Sequence, residues 1–87
     1  MARVKGVWVE VSQDDIDRGI PNHKTLCPVA RALRRVLSGN VEVDGWCCVW
    51  MGKDISIDLP YNALWFIDRF DGEVDKVRPF KFFLPLN

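Results

Sequence analysis

The sequence predicts an α+β fold: a two-layer domain with two main helices on one face of a mixed, mostly antiparallel sheet of about five strands. Three observations carry that expectation. Several short runs alternate apolar and polar residues with period two, and one longer segment has the 3.6-residue apolar period of a helix. The strand-like runs in the middle of the chain are joined by turns too tight for any pairing but antiparallel. The chain has 87 residues, of which 48% are apolar and 28% charged, which suits one globular core spanning residues 1–87 and excludes global disorder.

Val4 to Val11 reads as the first strand, with Val7, Val9 and Val11 on one face and Trp8 and Glu10 on the other. Ser12 then fits a helix N-cap, with Asp15 at the third helical position of a capping box and Gly19 as the stop. A loop covers 20–26. The clearest element is the helix opened by Pro28 and closed before Gly39. On it Val29, Leu33, Val36 and Leu37 share one arc, with Ala30 at its edge, and Arg31, Arg34 and Arg35 oppose them. Val41–Val43, Trp46–Met51 and Ile55–Leu59 read as three strands, separated by the turn pair Asp44-Gly45 and by 52–54. Pro60 opens a second main helix that Gly72 closes, with Ala63, Leu64, Phe66, Ile67 and Phe70 inward. Pro79–Leu84 is the last strand, presenting Phe80, Phe82 and Leu84 to one side. The order is β-α-α-β-β-β-α-β.

Composition excludes some functions. Twelve basic and twelve acidic residues cancel, which argues against nucleic-acid binding, because that relies on neutralising many phosphates. The charges are unevenly placed, however. His23, Lys24, Arg31, Arg34 and Arg35 lie in a stretch without acids, and 68–75 holds four acids against one base. No apolar run approaches the ~18–20 residues of a membrane span, and the first residues lack the apolar stretch of a secretory signal. The expected location is therefore cytoplasmic, with three reduced cysteines.

Catalytic and metal readings are weak. Cys27 sits at a helix start, where a thiol is acidified, and His23 lies four residues upstream, but no third group orients the pair. His23, Cys27, Cys47 and Cys48 lack the C-x2-C spacing of a zinc site, and adjacent cysteines on a strand diverge. Neither a metal nor a cofactor is expected.

Two surfaces remain as candidates. The first is a ligand site: Arg31, Arg34 and Arg35 offer fork-shaped donors for phosphate or carboxylate, His23, Lys24 and Thr25 add donors just before the helix, and Tyr61 and Trp65 lie off the core arc of the second main helix. The opposing reading of the arginines is a solvated helix face. The second is an interface. Trp8 and Phe83 lie opposite the core residues of their strands, and the strand carrying Trp46 and Trp50 has no polar side. Exposed apolar surface of that extent marks a partner, a homodimer or higher oligomer being the simplest, unless a loop or terminus covers it.

Three stretches resemble a family of small uncharacterised proteins encoded by phages and prophages: Val-Ser-Gln-Asp-Asp-Ile-Asp-Arg-Gly at 11–19, Cys-Pro-Val-Ala-Arg-Ala-Leu-Arg-Arg at 27–35 and Pro-Phe-Lys-Phe-Phe-Leu-Pro at 79–85. They cover a little under a third of the chain, and the Cys-Pro-Val-Ala helix start is the most specific. The resemblance implies a viral origin and action inside a bacterial host cell. It carries no catalytic residue. The expected function is a non-enzymatic, counter-defence binding protein that sequesters a small anionic, nucleotide-like ligand through arginines and aromatics. The alternative is an inhibitor that docks its aromatic and arginine surface on a host protein.

Overall fold

The computed structural model describes residues 5–72 and 76–86. The expected strand start at Val4 and the acids Glu73 and Asp75 lie outside those residues. The elements are β1 (Gly6–Val11), α1 (Gln13–Arg18), α2 (Pro28–Val36), β2 (Val41–Asp44), β3 (Cys47–Trp50), β4 (Ile55–Asp58), α3 (Tyr61–Gly72) and β5 (Phe80–Pro85). Their order is the one the sequence predicts, and the fold is α+β. Among the described residues, no helix is long and apolar enough to cross a membrane.

The single sheet expected from the sequence is in fact two, and both are wholly antiparallel. β1 pairs with β5, and β2, β3 and β4 form a separate meander. Helix α2 packs against both β1 and β2, so packing rather than strand hydrogen bonding joins the sheets. Its buried residues Val29, Ala30, Ala32 and Leu33 belong to the same core as Val9 and Val11 of β1 and Val41 and Val43 of β2. In β1 and β5 the register sets Val9 opposite Phe82 and Trp8 opposite Phe83. Period-two alternation then places Val9, Val11, Phe82 and Leu84 in the core and leaves Trp8 on the outer face.

The Ser12 capping box forms as the sequence implies. Asp15 N–H donates to Ser12 Oγ at 3.2 Å, and Ser12 N–H donates back to Asp15 Oδ2 at 2.9 Å. Gly19 does more than end α1. A methyl group there would lie 2.6 Å from the Pro28 ring and from the Asp15 carbonyl, so the missing side chain lets α1 end directly against the start of α2.

Two boundaries differ from the sequence reading, and each moves a side chain. Helix α2 ends at Val36, with Leu37 already extended as its C-cap. Leu37 turns into the core while Val36, on the expected core arc, is 40% exposed. In the hairpin, Asp44 stays in β2 opposite Cys47, and Gly45 and Trp46 form the turn. Gly45 has φ +64°, a left-handed conformation that glycine adopts without strain. Trp46 thereby leaves the strand for the turn tip and is 71% exposed. Met51, the last residue of the expected strand, lies in the turn after β3 and is also exposed.

Candidate functional site

The three arginines of α2 do not act together. Arg35 makes a two-pronged ion pair with Asp15, Nη1 to Oδ1 and Nη2 to Oδ2, both at 2.5 Å, and Nη2 also donates to the Glu10 carbonyl at 2.9 Å. Arg31 lies between Asp15 and Asp14, 3.6 Å from each. Asp15 is fully buried. Burial pushes its carboxyl up, but the Arg35 guanidinium and the Ser12 donors outweigh that and hold it below the usual carboxylate range. The same pairing raises Arg35. The hollow beside Arg35 is also lined by Glu10 and Asp14, so an incoming anion would meet carboxylates already in place. Of the three arginines, Arg34 is the one that faces solvent with no acidic partner among the described residues.

His23 and Lys24 line a cleft of about 540 Å³ between the 20–26 loop, the β2–β3 turn and α3, with Trp46 at its edge. Asp44, Asp68 and Asp71 line it too, and Lys24 is within 4.0 Å of Asp44. Among the described residues the cleft holds three carboxylates against one lysine, the wrong sign for an anion. His23 shapes its own loop. The ring Nδ1 accepts from the N–H groups of Leu26 (3.1 Å) and Thr25 (3.3 Å), folding the loop back toward the start of α2. In the neutral ring the proton therefore resides on Nε2. Thr25 Oγ1 lies 3.3 Å from the same nitrogen.

Cys27, at the floor of this cleft, is buried, and burial pushes its thiol above the usual value. A protonated, buried thiol is a poor nucleophile. Burial likewise pushes the Cys48 thiol up to about 11. Among the described residues, no three His, Cys, Asp or Glu side chains gather where they could hold a metal ion.

Of the remaining aromatics, Trp50 is structural. Its Nε1–H donates to the Ser38 carbonyl at 2.6 Å, and its ring packs against the core. Trp8 and Phe83 form a cross-strand edge-to-face pair, ring centroids 5.5 Å apart, on the outer face of the two-stranded sheet. The Phe83 ring also lies over Gly6, where a methyl group would come within 2.6 Å of it. Tyr61 is 81% exposed and stands apart from both hollows.

Trp65 is different. It lines a groove of about 380 Å³ between α3 and the segment that leads into β5. Phe66 and Phe80 line the same groove, stacked with centroids 4.7 Å apart. The stack continues to Phe82, buried in the core, at 5.8 Å from Phe80. The Arg69 guanidinium sits over the Trp65 ring at 4.9 Å. Asn62 donates to the Lys81 carbonyl at 3.0 Å and ties α3 to β5 along this side. Lys76 and Arg78 line the groove, and among the described residues no carboxylate does.

This is where aromatic surface and positive charge meet. Of the residues named from sequence as candidate ligand contacts, only Trp65 belongs to it. The sequence pattern assigns Phe66 and Phe80 to the core and gives Lys76 and Arg78 no role. Their signal in the sequence is the alternation of cation and apolar residue in Lys76-Val77-Arg78-Pro79-Phe80, just before the last strand. Comparison of the chain with protein-family models, with curated proteins and with solved structures returned no match.

Proposed function

We propose that the chain is a non-enzymatic binding protein that captures a small anionic ligand in the groove between α3 and the start of β5. One observation carries the reading: the groove joins an aromatic wall to Lys76 and Arg78, with no carboxylate lining it among the described residues. Arg35 and Arg31 of α2 already serve Asp15 and Asp14, and Arg34 does not line the groove, so the ligand's charge falls to Lys76 and Arg78. Binding of this kind needs no nucleophile, acid or metal. In the setting that the phage-type resemblance implies, the act is sequestration of a host-cell ligand.

The test is direct. Protein is incubated with a bacterial lysate, washed and heat-denatured, and the released small molecules are analysed by mass spectrometry. The wild type is expected to release an anion that the Lys76→Ala/Arg78→Ala variant does not retain. Both side chains are exposed, so unfolding free energy is expected to change by less than about 0.5 kcal/mol per site. Equal release from the two proteins, or no anion from the wild type, rejects the site.

A second reading, self-association, is favoured by Trp8, which is 64% exposed on an outer sheet face that also carries Phe83. Equilibrium sedimentation at micromolar concentration is expected to show a dimer that Trp8→Glu dissociates and Tyr61→Ala does not. A single 10.0 kDa species would end that reading.

A further inference from the structure

Resting on the anion-binding reading above, we infer the class of ligand: one planar aromatic ring system with its negative charge at one end, of the size and chemistry of a nucleoside monophosphate. Size is the first argument. The groove, about 380 Å³, is near the lower end of the roughly 300–1,000 Å³ typical of small-molecule sites, which suits one base with its sugar and not an oligonucleotide.

Preorganisation is the second. Phe66 and Phe80 stack on each other, and Phe80 stacks on Phe82, which is fixed in the core. Trp65 is held by the Arg69 guanidinium. A ring entering the groove meets aromatic side chains that are already ordered, so little side-chain freedom is lost on binding. Phe66 is buried beneath this stack, so the ring left for a base to stack on is Trp65, which is half-exposed, and stacking of this kind tolerates every base.

Charge is the third. Lys76 and Arg78 supply one ammonium and one guanidinium, which together match a phosphate monoester dianion, the guanidinium by paired donors and the ammonium as a point charge. A simple anion such as inorganic phosphate can use the cations and leaves the aromatic wall unused. A free nucleoside does the reverse. Only a ligand with both parts satisfies the whole groove.

The experiment is titration calorimetry of the full chain with adenosine 5′-monophosphate, uridine 5′-monophosphate, adenosine and inorganic phosphate. Both monophosphates are expected to bind at least ~10-fold more tightly than adenosine or phosphate, about one decade of affinity for the second half of the ligand. Trp65→Ala is expected to weaken monophosphate binding by roughly 5- to 150-fold, the loss of one base–aromatic stack, while leaving phosphate binding unchanged. Trp65→Phe restores most of the affinity. Trp65 is 51% exposed, and the melting temperature of each variant verifies that it folds. If phosphate binds as tightly as the monophosphates, or Trp65→Ala changes nothing, the aromatic inference fails and the anion reading stands. If no phosphate-bearing probe binds, or adenosine binds as tightly as its monophosphate, both fail.

Discussion

Replacing Asp15 by Asn is expected to lower the unfolding free energy by about 2 kcal/mol, the loss of charged hydrogen bonds between a buried carboxylate and the half-exposed Arg35. The carboxylate is fully buried and accepts from both Arg35 Nη atoms and from the Ser12 N–H. Each contact joins different parts of the chain: Ser12 caps α1, Arg35 belongs to α2, and Arg35 also holds the Glu10 carbonyl of β1. Asparagine keeps the shape but turns an N–H₂ group toward a guanidinium. The buried Nε of Arg31, which has no hydrogen-bond partner among the described residues and lies 3.6 Å from Asp15 Oδ1, then loses that negative charge and keeps only Asp14 beside its guanidinium.

The same pair sets an acid limit on the fold. Asp15 titrates below its ordinary value of 3.8 in the folded chain, so the folded state binds this proton less readily than the unfolded state. Its contribution is present above the unfolded value and is lost as pH falls through the folded one. Urea unfolding between about pH 7 and pH 3 is expected to show wild-type stability falling below about pH 4, with a shallower fall in Asp15→Asn. A variant within about 0.5 kcal/mol of wild type near pH 7, or one with the same acid slope, would show that the pair contributes little net stability. A double-mutant cycle with Arg35→Gln isolates the pair from the capping role of Asp15.

Leu33→Ala is expected to cost about 2–5 kcal/mol, the loss of a fully buried side chain plus the cavity it leaves. The informative comparison is Val36→Ala. Both residues lie on the apolar arc read from sequence, but Val36 is 40% exposed, so its loss is expected to cost under about 1 kcal/mol. A similar contrast holds on α3, where Phe66 is buried and Ile67 only partly so. Denaturant midpoints should shift in that order with unchanged m values, because the surface exposed on unfolding stays nearly the same. Equal losses at Leu33 and Val36 would mean that α2 continues beyond its observed end.

The outcome for the arginines shows why a charged helix face is hard to read alone. Arg31 and Arg35 stand in the sequence as a basic stripe without acids nearby, which fits either solvent or an anion. The anion exists, but it is Asp15, twenty residues before Arg35 and fully buried. The capping box that places Asp15 at the third position of α1 is a local signal, legible from four consecutive residues. That α1 then folds against α2 and turns the capping carboxylate toward Arg35 is a matter of tertiary contact.

Local chemistry was enough to determine the α+β class, the order of eight elements, the Ser12 cap, the Pro28 start of α2 and the separation of Trp8 and Phe83 from the core, because each depends on residues within a turn or on the two-residue period of one strand. Only the tertiary structure decided that β1 pairs with β5 while β2, β3 and β4 form a sheet of their own, because which strand edges meet depends on long-range closure and not on any one strand's pattern. It also decided the groove. Trp65 and Phe66 come from α3, Lys76 and Arg78 from the approach to β5 and Phe80 from its first position, and they share a site because that last strand returns along α3 to pair with the first.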